Sequence, residues 1–107
     1  MFARRVSIDL KPDNKAEFTH KLEKEILPLL RKQKGFQDEI SFVTTAGREA
    51  FAISLWDNKE SADIYHNGSY AEVTKLLSKM VDGTPQVKTF EVVNSTFHKI
   101  NAGLKAA

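Results

Sequence analysis

The chain has 107 residues, with 16 lysines and arginines against 14 aspartates and glutamates, a net charge of +2, and no cysteine. That length predicts one domain, and the lack of cysteine excludes disulfides, thiolate metal sites and a cysteine nucleophile. The charge is too small and too evenly spread to favour a nucleic-acid partner. No apolar run approaches membrane-spanning length, so we expect no membrane association and a cytoplasmic protein without a signal peptide.

The first predicted elements are a strand and a helix. Residues 2–10 (FARRVSIDL) alternate between apolar and polar side chains, the pattern of a half-buried strand. After a turn in which Asp13 or Asn14 is the N-cap, residues from about 14 to 34 have helical periodicity. Pro28 lies inside this stretch and removes a backbone hydrogen bond, which predicts a kink or two segments before a stop at Gly35. One apolar stripe is expected to face the core: Phe18, Leu22, Ile26, Leu29 and Leu30.

A hairpin and an interrupted helix follow. Residues 36–45 and 51–56 alternate again and are separated by a short turn, which predicts two antiparallel strands. Ile53 and Leu55 are expected to meet the first helix in the core. The second helix begins after Trp56 with Asp57 or Asn58 as its N-cap. It breaks at residues 67–68, resumes, and ends at residues 83–85 (GTP).

A long strand from about residue 86 completes the domain. The order β-α-β-β-α-β, with right-handed crossovers, predicts a ferredoxin-like α+β sandwich: a four-stranded antiparallel sheet with both helices on one face. We predict that residues 1–100 form the domain and that 101–107 form a flexible C-terminal tail.

The sheet face opposite the helices is predicted to be bare. Small, apolar and scattered polar residues suit contact with a second sheet better than contact with water, so we predict a homodimer through this face. The residues expected there are Ala3, Arg5, Ser7, Val43, Ala50, Ala52, Val92 and Asn94.

Two segments and the element order carry a resemblance to a known family. LLRKQKGFQ (29–37) and FAISLWDNKESADIYHNGSY (51–70) resemble the antibiotic biosynthesis monooxygenase family of the dimeric α/β barrel superfamily, and the resemblance covers about residues 2–99. It implies a dimeric barrel. The family's functions diverge, and include cofactor-independent monooxygenases of quinone-like aromatics, heme-degrading enzymes and proteins with no assigned reaction.

The resemblance directs attention to one set of candidate site residues. His66, Tyr65 and Arg4 are the candidate catalytic residues, and Trp56, Tyr70 and Asn94 are the candidates for binding a small aromatic substrate. Such an enzyme needs no cofactor, because an ionised phenolic substrate reacts with oxygen itself in a dry pocket that stabilises the anion. No metal site is predicted, since the three histidines match no ligand spacing.

Plainer interpretations remain beside this one. Trp56, Tyr65 and Tyr70 are also typical packing residues with polar handles, and His66 is also typical of an exposed helix end. The chain is then a non-catalytic small-ligand-binding or stress-associated dimer. A third alternative is a heme-binding protein. By position, the functional residues of the heme-degrading relatives correspond to Arg4 or Val6, Tyr65 and Lys75, and none of these matches.

Overall fold

The strands and helices follow the predicted order. The computed structural model describes residues 1–97 and 100–101, so residues 102–107 of the predicted tail lie outside the described residues. The elements are β1 (Phe2–Leu10), α1 (Lys15–Lys21), a π-helical turn (Leu22–Ile26), α2 (Leu27–Arg31), β2 (Phe36–Val43), β3 (Glu49–Trp56), α3 (Lys59–Asn67), α4 (Tyr70–Leu77), β4 (Val81–Glu91), β5 (Asn94–Ser95) and β6 (Ile100–Asn101).

Four strands form one antiparallel sheet in the order β2-β3-β1-β4, and β5 pairs with β6. This order confirms the ferredoxin-like α+β fold. Buried side chains of the helical segments, such as Phe18, Ile26 and Leu77, belong to one core cluster with Ile8 and Leu10 of β1. No helix in the described part of the chain is long and apolar enough to span a membrane.

The first helical region is divided, as Pro28 predicted. Pro28 lies in the first turn of α2, directly after the π-helical turn. Because proline has no N–H to donate to the carbonyl four residues earlier, the regular α-helical pattern cannot continue through this point. The backbone hydrogen bonds of the π-helical turn instead join residues five positions apart. Such turns often occur near functional sites.

The predicted orientation of β3 is wrong. In an antiparallel ladder, directly paired residues project to the same face, and Val6 pairs with Ala52 while Ile8 pairs with Ala50. The small residues of β3 therefore face the helices, and Ile53 and Leu55 face away from them. Large apolar residues usually mark the core face of a strand, but here the small ones leave room for the helical side chains.

The open sheet face is consequently more apolar than predicted. Ala3, Arg5 and Ser7 lie on it as expected. Val43, Ala50 and Ala52 face the helices, and Val92 and Asn94 follow the end of β4. The rings of Phe42 and Phe51 stack across the open face with centroids 4.5 Å apart. Its large apolar side chains are Ile40, Phe42, Phe51, Ile53, Leu55 and Phe90, and Ile40 is 51% exposed.

The fourth strand begins earlier than the sequence predicted. Helix α4 ends at Leu77, and β4 already includes residues 83–85, which were expected to end the helix. A proline within a strand removes a donor from the ladder, so it is tolerated chiefly at a sheet edge. β4 is an edge strand, and Pro85 lies next to the irregular pairing between Ser7 and Asp9 of β1.

Candidate functional site

Helix α3 carries the two candidate residues Tyr65 and His66. The Asn58 side chain accepts a hydrogen bond from the backbone N–H of Ser61 at 2.9 Å, which fixes where the helix begins. With this start, Tyr65 points into the core and is 3% exposed. The helix ends at Asn67, and α4 then begins with Tyr70, whose ring centroid is 5.9 Å from that of Tyr65. The predicted helix break thus brings two tyrosines together.

Arg4 of β1 lies beneath these aromatic residues and is 2% exposed. Its Nη2 donates to Nδ1 of His66 at 3.0 Å. Its Cζ lies 3.9 Å from the ring centroid of Tyr70 and 5.2 Å from that of Tyr65, within range of a cation–π interaction. Because a guanidinium only donates hydrogen bonds, Nδ1 of His66 is the acceptor, and the proton of a neutral ring is then on Nε2.

Trp56 supports the cluster from behind. The indole is fully buried, and its Nε1 donates to Oγ of Ser54 at 2.9 Å. Its ring stacks on Tyr65 at 5.0 Å between centroids and meets the edge of Phe36 at 5.5 Å. Trp56 therefore fixes the position of Tyr65 and satisfies its own N–H within the core.

Below the tyrosines, the helices and the sheet enclose a mainly apolar cavity of about 50 Å³. We call this space the cleft. Its polar lining residues are Arg4, Glu39, Ser54, Tyr65 and Tyr70, and its apolar ones are Val6, Ile8, Phe18, Leu22, Ile26, Leu30, Phe51, Ala52, Val73 and Leu77. A cavity of this size holds a few water molecules. Ordinary small-molecule pockets measure roughly 300–1,000 Å³.

His66 faces a different space. It lines a groove between α3 and the β4 edge together with Asp63, Val87 and Thr89. Arg4 lines both this groove and the cleft. The guanidinium is thus the group through which His66 is connected to the cleft.

The electrostatics of the site are unusual in one respect. Among the described residues no carboxylate forms an ion pair with Arg4, and its Nε is buried without a hydrogen-bond acceptor. A buried charge normally has a partner, because desolvating it is costly. The aromatic faces and His66 compensate the charge only in part.

Burial shifts the pKa of two acidic groups of the cleft upward. Burial raises the pKa of Tyr65 to about 12, although the nearby Arg4 opposes the shift. Burial likewise raises the pKa of Glu39, and a hydrogen bond from the Ser41 hydroxyl opposes that change. Both shifts follow from the cost of placing a negative charge in an apolar space.

The structure brings together five of the six predicted residues. Arg4, Tyr65 and Tyr70 line the cleft, Trp56 lies behind Tyr65, and His66 binds Arg4. Asn94 is elsewhere, exposed in β5. The sequence interpretation missed Glu39 and Ser54. The signal that could have found them is the register of the strands. Ile40 and Phe42 lie on the open face, so Glu39, which alternates with them, faces the helices.

Comparisons with known proteins add information about the fold. No protein-family model matches the chain, and no curated protein matches it. Solved structures do. A monooxygenase from the gene ActVA-Orf6 of Streptomyces coelicolor, in complex with the ligand nanaomycin D, superposes with a TM-score of 0.74 at 15% identity, covering 88% of each chain.

Two further structures match equally well. A putative antibiotic biosynthesis monooxygenase from Bordetella bronchiseptica has a TM-score of 0.73 at 19% identity, over 87% of this chain and 97% of the other. The NE2512 protein of unknown function from Nitrosomonas europaea has a TM-score of 0.73 at 16% identity, over 89% and 91%. Identities this low establish a common fold and not a common reaction. The chain therefore has the α+β fold that several solved antibiotic biosynthesis monooxygenase structures share.

Proposed function

We propose that the protein binds a small aromatic or quinone-type metabolite in the cleft and oxygenates it without a metal or organic cofactor. In this reaction the ionised substrate supplies the electrons to oxygen. The protein supplies a dry pocket and a positive charge that stabilises the substrate anion.

The observation that carries the proposal is the buried guanidinium of Arg4, whose Nε has no hydrogen-bond acceptor. A cation with 2% exposure and no carboxylate partner in the described chain is suited to bind an anion that arrives with a ligand. The aromatic rings of Tyr65 and Tyr70 lie against it and offer flat surfaces for a ring. A hydroxylated aromatic provides both the ring and, when ionised, the negative oxygen.

The size of the cleft sets a condition on this proposal. A cavity of about 50 Å³ cannot take an aromatic ring without enlargement. The π-helical turn lines one side through Leu22 and Ile26, and it is the least regular part of the helical layer. Ligand binding therefore requires this turn to move away from the sheet.

The proposal includes a homodimer. The six large apolar side chains of the open sheet face lie on neighbouring strands, and their exposure to water is unfavourable. A second copy offers the same apolar face, so a two-fold sheet-to-sheet interface buries both at once. Arg5 and Lys88 lie beside Phe90 on this face, with charged groups 5.4 and 5.6 Å from the ring centroid.

Oxygen consumption tests the function. We expect uptake with one or more members of a panel of hydroquinones and anthrones, and a loss of about 10²–10³ in rate for Arg4→Gln, the size of effect typical when an anion-stabilising donor is removed. Arg31→Gln, at the exposed end of α2, removes the same charge away from the cleft and should leave the rate unchanged. Circular dichroism must show that both variants are folded.

Different outcomes distinguish the alternatives. Binding of these aromatics without oxygen uptake would favour the non-catalytic ligand-binding dimer. No binding and no uptake across the panel would contradict the proposal. The heme-binding alternative has less support, because the cleft is far smaller than a porphyrin. In addition, the burial that raises the pKa of Tyr65 opposes the phenolate needed to ligate ferric iron.

A further inference from the structure

A row of polar residues crosses the apolar floor of the cleft. Glu39 of β2 pairs with Ser54 of β3, and Ser54 pairs with Arg4 of β1, so all three project toward the helices at the same level. Neighbouring strands are about 4.8 Å apart, which places the backbones of Glu39 and Arg4 roughly 10 Å apart. Glu39 and Arg4 both line the cleft.

The surroundings of Glu39 suit proton transfer. β2 is an edge strand and Glu39 is half-buried, so the side chain lines the cleft and also has access to solvent at the sheet edge. The residues of α1, the π-helical turn and α2 that line this cavity are all apolar: Phe18, Leu22, Ile26 and Leu30. The titratable groups that share the cavity with Glu39 are Arg4, Tyr65 and Tyr70.

We propose that Glu39 is the proton acceptor of the cleft, and that the ligand is an aromatic ring with a hydroxyl group and a second, conjugated oxygen. The hydroxyl lies at Glu39 and the second oxygen lies at Arg4. This inference rests on the proposed function, because it assigns a step to the same cleft.

The step is a simple proton transfer. The ligand O–H bond breaks, the proton goes to the Glu39 carboxylate, and the electron pair remains on the ligand and is shared through the ring with the oxygen at Arg4. The burial of Glu39 favours this transfer, because a carboxylate that binds its proton more tightly than usual is a better match for a phenol. The charges after the transfer are favourable as well. Glu39 is then a neutral acid, and the negative charge of the ligand lies beside the Arg4 guanidinium.

Proton release on binding distinguishes Glu39 from a passive lining residue. The probe is 4-nitrophenol, which has two conjugated oxygen-bearing groups and a coloured phenolate, used at a pH well below its own pKa, where the free ligand is almost entirely the neutral phenol. Calorimetric titration in two buffers of different ionisation enthalpy gives the number of protons released per ligand bound. For the wild type we expect the phenolate spectrum with almost no proton release, because Glu39 takes up the proton.

In Glu39→Gln the proton has no acceptor in the cleft. We therefore expect the same phenolate spectrum but release of about one proton per ligand to the buffer, since an ionised bound phenol must lose its proton elsewhere. Glu17→Gln, an exposed residue in the first turn of α1, is the matched control and should behave as the wild type.

The outcomes separate this inference from the function on which it rests. Equal proton release in wild type and Glu39→Gln, or a neutral phenol spectrum in the bound wild type, would overturn the role of Glu39 and leave ligand binding at Arg4 intact. If neither protein binds 4-nitrophenol or any hydroquinone of the panel, the proposed function itself fails, and the inference fails with it.

Discussion

The hydrogen bond from Arg4 changes what His66 contributes. The guanidinium occupies the Nδ1 lone pair of His66 at 3.0 Å, so this nitrogen does not accept a proton from a ligand while the bond is intact. The imidazole also stacks on Tyr70, with centroids 5.5 Å apart. His66 is thus placed to hold Arg4 against Tyr70. The sequence indicated both residues, but it could not show that they are joined across 62 positions of chain.

Tyr65 should make the stability of the protein depend on alkaline pH. Its pKa is about 12 in the folded chain and near 10.0 in the unfolded one, so between these values the unfolded chain loses a proton that the folded chain keeps. Stability therefore falls as pH rises through this window, by roughly 2–3 kcal/mol for a shift of this size.

The measurement is the urea unfolding free energy of wild type and Tyr65→Phe across that pH window. Phenylalanine does not titrate, so the difference between the two proteins should shrink or reverse as pH rises. A constant difference would show that Tyr65 ionises as readily in the folded chain as in the unfolded one.

At the scale of single elements, β3 shows where sequence patterns are ambiguous. Its residues alternate cleanly, and alternation identifies two faces without saying which one meets the helices. Phe51, Ile53 and Leu55 are the larger apolar set, which favoured the wrong face. The pairing of Ala50 with Ile8 and of Ala52 with Val6 determines which face of β3 meets the helices. Such pairing depends on residues that are distant in sequence.

Other elements could be predicted because their signals are local. The helix ends earlier than predicted, at Arg31, but the turn at Gly35 follows from a local signal. Gly35 has a positive φ of 83°, which glycine adopts without strain, and a side chain there would collide with Ser61. The α3 cap at Asn58 and the break before Tyr70 are equally local. Glu39 was missed because its role depends on register and burial, which no short segment encodes.

The two faces of the sheet should respond differently to cavity-forming substitutions. Ile26, 3% exposed in the core, should cost about 2–5 kcal/mol when changed to alanine, at any protein concentration. Ile53→Ala should destabilise the protein more where the proposed dimer is populated, because the partner would cover this face. Thermal melts of both variants at high and low protein concentration test this. Equal, concentration-independent losses would contradict the assignment of faces.

At the scale of the whole molecule, the two faces of the sheet differ in what covers them. One side of the sheet is covered by helices, and the other exposes Phe42, Phe51 and Phe90 to between 37 and 40%. A stable interface buries roughly 1,200–2,000 Å² in total. In the proposed dimer, the open sheet faces of the two copies would provide this buried area. The apolar pattern indicates association, while the sequence alone does not specify the geometry.

Sedimentation equilibrium at micromolar concentration should give the mass of a dimer. Phe51→Glu places a charge on the open face, where desolvating it in the proposed interface is unfavourable, and should shift the protein to monomer. Ile64→Glu is the control, because Ile64 is 64% exposed on the outer side of α3 and should leave the mass unchanged. A monomeric wild type, or a Phe51→Glu dimer of undiminished stability, would rule out this interface.

The floor of the cleft is made of small residues, Ala52 and Ser54, on a strand that is fixed on both sides by its neighbours. Side-chain volume at Ala52 sets the depth of the space, whereas the Ser54 hydroxyl also accepts the hydrogen bond of the buried Trp56 Nε1. Under the proposed function, a larger side chain at position 52 would reduce the size of the ligand that the cleft accepts and leave the strand pairing unchanged. The same architecture occurs in a solved structure at 9% identity, so the fold persists through extensive exchange of side chains.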